Sequence, residues 1–218
     1  MRVAIAGAGA VGRSIAMELI DGRHQVMLIE REVDQFEPQI VEQADWVLGD
    51  ACEVSILEES GIEQCDVVIA ATGDDKVNLV VSLLAKTEFA VPRVVARVNN
   101  PANEWLFNDA WGVDVAVSTP RMLAAMVEEA VSVGDLVRLM TFRQSQTNLV
   151  ELTLPQETPL AGKAVSDLAL PRDAALVTIL RGDRVIVPTP EDPLEPGDEL
   201  LFVATADVEP EIRAALGY

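Results

Sequence analysis

The chain has 218 residues, with 36 Asp and Glu against 16 Lys and Arg, a formal net charge of −20, and a half-apolar composition with only 4% aromatics. That length and apolar content suffice for one or two domains with their own cores, without a disulfide or metal staple. A carboxylate excess of this size excludes non-specific binding to nucleic acid, whose phosphates are held by Lys and Arg, and docking on anionic lipid headgroups.

The chain starts Met1-Arg2-Val3-Ala4-Ile5, a strand pattern rather than a signal peptide. No apolar run approaches the roughly 18 residues of a membrane helix. Short, continuous apolar runs then recur at Arg2–Ala6, Gln25–Glu30, Trp46–Leu48, Asp66–Ala71, Arg93–Val98 and Asp114–Val117. Strands of a parallel sheet covered on both faces have this character. Helices are expected between them. Val11, Ile15 and Leu19 form an i, i+4, i+8 stripe that Asp21-Gly22 ends. Asp34 and Glu37 have capping-box spacing for a second helix. Asp75 is placed to cap a helix through Lys86, and Asn100-Pro101 opens another that Gly112 closes. This alternation predicts an α/β fold, a Rossmann-like doubly wound parallel sheet.

Ser118-Thr119-Pro120 opens a helix carrying Met122, Leu123, Met126, Val127, Ala130 and Val131, apolar on more than one side, which Gly134-Asp135 breaks. It is either the last helix covering the sheet or a crossover helix between copies. The texture then changes. Strands are expected at Asn148–Leu154, Ala174–Leu180, Arg184–Val187 and Leu200–Ala204, with a hairpin at Arg181-Gly182-Asp183, a helical turn at Val165–Leu170 and a terminal helix at Val208–Leu216. The expected organisation is a nucleotide-binding domain over 1–134, including the crossover helix, and a small α+β domain over 135–218.

Gly7-Ala8-Gly9-Ala10-Val11-Gly12 is a G-x-G-x-x-G between an expected strand and an expected helix, with the acid Glu30 closing the next strand. That context is what a dinucleotide fingerprint requires. Gly7 permits the tight turn, Gly9 a close approach to phosphate and Gly12 close helix–strand contact, while the helix start supplies N–H donors. Glu30 can take two ribose hydroxyls and repel a 2′-phosphate, favouring NAD over NADP; Arg31 beside it works the other way. Gly49-Asp50-Ala51 follows the third strand, where Asp50 reaches the adenine edge or caps a helix. Thr72, Gly73 and Asp74 follow the fourth strand, with Asn78 one turn into the next helix. Arg97 is a charge in an apolar strand and needs an anionic partner, internal or bound.

His24, the one histidine, is expected in a loop, and Cys52 and Cys65 as small apolar fillers. Trp46, Trp105 and Trp111 read as core or interface. No metal cluster and no catalytic set is expected: the only tyrosine is Tyr218, so a Tyr-x-x-x-Lys pair is missing. The alternative function is an NAD-dependent oxidoreductase.

Taken in order, these motifs resemble the RCK (regulator of potassium conductance) family, in particular the cytoplasmic nucleotide-binding subunits of Trk/Ktr potassium-uptake systems. The first half carries the resemblance through Gly7–Gly12, Glu30, Gly49-Asp50-Ala51, Ala71-Thr72-Gly73-Asp74-Asp75 with Asn78, and Ala96-Arg97-Val98-Asn99-Asn100-Pro101. The second carries it through Gly162-Lys163-Ala164-Val165, Ile179-Leu180-Arg181-Gly182 and Leu194-Glu195-Pro196-Gly197-Asp198-Glu199-Leu200. The resemblance implies no enzyme. It implies a regulatory subunit at the inner face of the cell membrane, gating a potassium pore subunit through an RCK dimer assembled into a ring. It implies NAD(H) or ATP/ADP as ligand, and cyclic di-AMP as a ligand of some C-terminal domains. Carried over, Gly7, Gly9 and Gly12 meet phosphates, Glu30 the ribose, Asp50 the adenine side, Thr72 and Gly73 the remaining cleft, and Arg97 a phosphate or a dimer contact. Glu30 stands where many members have Asp, and the chain has one copy of the two halves where Trk-type subunits often have two.

Overall fold

The computed structural model describes residues 1–131, 133–142 and 147–217, with Glu129 and Ala130 described for their backbone only. The expectations for the Ala130 side chain and for Tyr218 therefore lie outside the described residues. Contacts divide the chain into two compact units between Pro120 and Arg121. The 134/135 boundary follows a change of residue texture, which need not coincide with a division by contacts.

In the first unit, β1 (Arg2–Ala6), β2 (Gln25–Glu30), β3 (Asp45–Leu48), β4 (Val67–Ala70), β5 (Arg93–Val98) and β6 (Val115–Ser118) form one parallel sheet. Its order is β3-β2-β1-β4-β5-β6. The chain thus leaves β1 toward one edge, returns beside β1 and continues toward the other, a doubly wound sheet with its switch point between β1 and β4. Successive β1 and β2 residues alternate between two cores. Ala4, Ala6, Met27 and Ile29 pack with Leu57 of α2 (Val54–Ser60) and Leu79 and Val81 of α3 (Asp75–Thr87). Val3, Ile5, Val26 and Leu28 pack with Ile15, Ala16 and Leu19 of α1 (Ala10–Asp21). Burial on both faces is why these strands read as continuous apolar runs.

Two expected helices are instead pairs of 3₁₀ turns. The β2–β3 connection holds turns at Val33–Gln35 and Pro38–Ile40, and no side chain caps either. Pro38 enters too early to allow an amphipathic helix, and the strap is fixed instead by an Arg13–Glu37 ion pair and an edge-to-face Phe36–Trp46 contact. The β5–β6 connection holds turns at Pro101–Leu106 and Asp109–Trp111; Asn100 caps the first by accepting from Ala102 N–H, and Gly112 closes the second at φ 70°. The α3 cap is Asp74, which accepts from Lys76 N–H, and not Asp75.

The second unit contains an antiparallel sheet, β10-β9-β11-β8-β7, built from β7 (Val137–Phe142), β8 (Thr147–Thr153), β9 (Ala174–Arg181), β10 (Arg184–Ile186) and β11 (Glu199–Thr205). Val150, Leu152, Ile179, Leu200 and Phe202 form its core with Ile212 and Leu216 of the terminal helix, Glu209–Leu216. Strand β7 has no counterpart among the expected strands, because Arg138 and Thr141 interrupt its apolar residues. Asp198, fully buried, holds Arg181 through two bonds of 2.7 and 2.8 Å and accepts Glu195 N–H. The helix α4 (Thr119–Val131) exposes Met122, Leu123, Met126, Val127 and Val131.

Candidate functional site

A cavity of about 510 Å³ opens at the carboxyl ends of β1, β2, β4 and β5, across the switch point. Open α/β sheets place ligands here because the chain diverges to both sides of the sheet and leaves a crevice.

Its floor is the glycine loop. Gly7 has φ +98°, a left-handed value that only glycine adopts without strain, and donates to Ile29 O at 2.8 Å. A Cβ on Gly7 would lie 3.0 Å from Thr72 Cα, so the two loops are pressed together. A Cβ on Gly12 would lie 1.9 Å from Gly7 O. Gly12 is thus required by packing beneath the loop, and it does not line the cavity. At Gly9 a Cβ would meet nothing within 4 Å, so the loop's open side faces the cleft. Gly9 N-caps α1 without a side-chain bond, and the first amides of the helix are left to receive an acceptor.

On the β2 side, Glu30 is buried, with each carboxylate oxygen held by a backbone amide: Oε2 accepts Ala8 N–H at 2.7 Å and Oε1 accepts Glu32 N–H at 2.8 Å. The acid therefore ties the glycine loop to the end of β2. Arg31 turns outward to Glu32 and lies 3.6 Å from Asp50. The Glu32 hydrogen bond and charge, with Asp50, raise its pKa further. Asp50 caps no helix; it accepts Cys52 N–H at 2.8 Å in the turn before α2, which starts at Val54. Burial, then the Asp50 charge, pushes the Cys52 thiol up to about 11, so it is neutral and a poor nucleophile near pH 7.

The far wall is Ala71 to Asp74. Thr72 donates its N–H and its hydroxyl to Asn78 Oδ1 at 2.9 and 2.7 Å, while its carbonyl accepts from Asn78 Nδ2 and Asn99 Nδ2. Asn78, fully buried, also donates to Arg97 O at 2.9 Å. The Arg97 side chain lines the cavity, and its buried Nε has no hydrogen-bond partner.

Asp75, 8% exposed, accepts four hydrogen bonds, from Asn99 N, Asn99 Nδ2, Asn100 N and Asn103 Nδ2. Burial pushes its carboxyl up, but these bonds outweigh burial and hold it below the ordinary value near 4. The Asp75 contribution to stability is therefore complete above about pH 4 and is lost as pH falls through the depressed folded value. Chemical denaturation of wild type and Asp75→Asn across pH 2.5 to 6 is expected to give a stability difference that shrinks only below about pH 4. A difference constant across that range would show that the carboxylate is not the group held.

Of the residues expected at the site, Gly7, Gly9, Ala10, Val11, Glu30, Arg31, Gly49, Asp50, Ala51, Thr72, Gly73, Asp74 and Arg97 line the cavity. Ala8, Gly12 and Asn78 do not, and stand one layer behind it. Ile29, Glu32, Gln35, Ala71 and Val77 also line it and are not among the residues expected at the site. Ile29 and Ala71 adjoin foreseen residues at strand ends, but Gln35 comes from the 3₁₀ strap, where the expected helix misplaced it. Among the described residues, no group of His, Cys, Asp and Glu could hold a metal, and no helix is long and apolar enough to cross a membrane. His24 lies beside Arg23 in the loop before β2, away from the cavity.

Family models of the TrkA-N domain and the TrkA-C domain match residues 3–119 and 149–217. The chain is 67% identical over 216 residues to the Trk system potassium uptake protein TrkA of Mycobacterium tuberculosis, covering 99% of this chain and 98% of that protein. It is 33% identical to a TrkA homolog of Archaeoglobus fulgidus over 96% of this chain, spanning 48% of that protein. Among solved structures it resembles a GsuK channel bound to NAD, with TM-score 0.72 and 18% identity over the whole of this chain and 39% of that one, a likeness of fold alone. It also resembles the GsuK RCK domain, with TM-score 0.54 and 25% identity over 99% of this chain and 46% of that one.

Proposed function

Because the chain belongs to the TrkA family of Trk potassium-uptake proteins, we propose that it is a regulatory subunit of a membrane potassium transport system and senses an adenine nucleotide through the switch-point cleft. The observation that carries the nucleotide reading is the cleft itself. It has an open glycine floor at a helix N-terminus, a buried carboxylate at the end of β2 and an arginine, Arg97, among its lining residues. Phosphates would take the amides of Gly9 to Val11 and the Arg97 guanidinium. Glu30 would take ribose hydroxyls while continuing to hold Ala8. Gly49, Asp50, Ala51 and Arg31 would line the adenine side, and Thr72, Gly73 and Asp74 the far wall. Ala8, Gly12 and Asn78 would shape the cleft from behind.

The ligand regulates only through different affinity for two states of an assembly. The exposed apolar side chains of α4, Leu123 at 63% and Met126 at 66% among them, fit self-association as a dimer, and family membership fits assembly of such dimers beneath a pore subunit. With a net charge of −20, the docking surface on that pore subunit would be basic protein at the inner face of the membrane rather than lipid. The oxidoreductase reading is disfavoured by family membership. Among the described residues lining the cleft there is also no histidine, tyrosine or lysine to move a proton, and the Cys52 thiol is held neutral.

A thermal-shift screen with NAD, NADH, ATP, ADP and cyclic di-AMP tests the nucleotide reading. At a hundredfold excess over Kd a ligand stabilises the native state by about 2.7 kcal/mol. At least one adenine nucleotide is expected to raise Tm, and no response at millimolar concentration would remove the reading. Glu30→Gln turns an amide NH₂ against the N–H of either Ala8 or Glu32 and removes the negative charge and one of the two acceptor oxygens available to ribose. It is expected to weaken NAD by about tenfold or more and to narrow the preference over NADP, both measured by calorimetry. Unchanged affinities would move the ribose elsewhere.

A further inference from the structure

Asp75 and Asn78 lie one turn apart at the start of α3, and together they reach both the cleft wall and the chain leaving β5. Asn78 accepts the Thr72 N–H and hydroxyl at Oδ1 and donates through Nδ2 to the Thr72 and Arg97 carbonyls. Asp75 binds the amides of Asn99 and Asn100 and the side chains of Asn99 and Asn103. Asn99 closes the loop by donating to Thr72 O at 3.0 Å. The two cleft residues Thr72 and Arg97 are therefore joined to the 99–103 segment by hydrogen bonds that run from buried Asn78 through half-buried Thr72 and Asn99 to buried Asp75. That segment continues through the Pro101–Leu106 turn, which carries Trp105 at 74% exposure.

We propose that Asp75 and Asn78 are positioning residues that couple occupancy of the cleft to the 99–106 segment, so that a phosphate-bearing ligand held by Thr72 and Arg97 orders that segment. The proposal rests on the nucleotide reading of the cleft. A ligand against Arg97 at the cavity wall restricts the residue whose carbonyl Asn78 holds, and a ligand against Thr72 restricts the peptide whose carbonyl Asn78 and Asn99 share. Restriction at one end of a hydrogen-bonded network lowers the freedom left at the other, which couples two places without a large change of structure. The coupling is reciprocal, so loosening the segment weakens the ligand by the same factor. A purely structural role for Asp75 would hold the segment equally with and without ligand.

Backbone hydrogen exchange of the full chain, with and without saturating ADP and with NAD as a second probe, separates these cases. In wild type, the ligand is expected to slow exchange across 99–106 by about fivefold or more. In Asp75→Asn most of that ligand-dependent slowing is expected to disappear, while calorimetry still detects binding. Asn103→Ala removes one of the four donors from a half-buried position, keeps the experiment informative if Asp75→Asn does not fold, and is expected to give a partial loss. Ligand binding in wild type with unchanged exchange across 99–106 would overturn the coupling. The same slowing in wild type and in both variants would also overturn it. Absence of ADP and NAD binding by calorimetry would instead overturn the reading of the cleft, and the coupling with it.

Discussion

Gly9→Asp is expected to abolish nucleotide binding while leaving the protein as stable as wild type. The two effects separate because of where Gly9 stands. Its backbone, φ −65° and ψ −175°, is extended and open to any residue, and a Cβ there meets nothing within 4 Å. It is also the N-cap of α1, a position that favours Asp, whose carboxylate accepts the free amides of the first turn and is worth about 0.5–2 kcal/mol. That same carboxylate would sit on the donors a phosphate needs and repel its charge. A loss of at least about a hundredfold in affinity, near 2.7 kcal/mol, is expected by calorimetry, with Tm at or above the wild-type value. Gly12 offers the contrast: any side chain there collides with Gly7 O, so its substitution costs stability first. Retained affinity in folded Gly9→Asp would mean that the phosphates bind elsewhere.

Arg181→Met is expected to cost the second unit about 3–5 kcal/mol, because it leaves a fully buried carboxylate without its cation. Asp198 accepts Arg181 through both oxygens, and Arg181 also reaches Glu195 and Pro193 O, so one guanidinium fastens β9 to the start of β11 and to the loop before it. After the change the Asp198 carboxylate keeps the Glu195 N–H, which is too little to solvate a buried charge. Removing both partners, in Arg181→Met with Asp198→Leu, is expected to recover part of the loss, since replacing a buried pair is less costly than breaking it. Denaturation followed by hydrogen exchange would place the loss in the antiparallel sheet, with nucleotide binding retained by the first unit. A single variant within about 0.5 kcal/mol of wild type would show that the pair is not holding the hairpin.

The cleft was largely legible from sequence because its parts are short and local. Gly7 to Gly12 runs from the turn after a strand into the first turn of a helix, Glu30 ends a strand, and Asp50 and Thr72 follow strands whose apolar runs are unmistakable. What escaped depends on partners far along the chain. The spacing of Asp34 and Glu37 suggested a helix cap, yet Glu37 pairs with Arg13 and Pro38 cuts the segment into turns, which brings Gln35 to the cleft. Asp74 and Asp75 are indistinguishable as caps in sequence. Asp75 turns inward only because Asn99, Asn100 and Asn103 arrive from β5 with donors for it. Arg97 was equally readable as an internal ion pair or a ligand contact; it lines the cavity, with its Nε buried and without a hydrogen-bond partner. Strand β7, with Arg138 bound to Glu209 of the terminal helix and Met140 and Phe142 partly exposed, shows no period until β8 is beside it.

The most direct measurement is potassium flux into vesicles holding a Trk-type pore subunit that co-purifies with this protein, recorded with and without the nucleotide that shifts its Tm. The expected result is a flux that changes with nucleotide only when the protein is present, and that stops responding when Gly9→Asp replaces the wild type. Flux indifferent to the protein, or a nucleotide response undiminished in Gly9→Asp, would contradict nucleotide-gated regulation through this cleft.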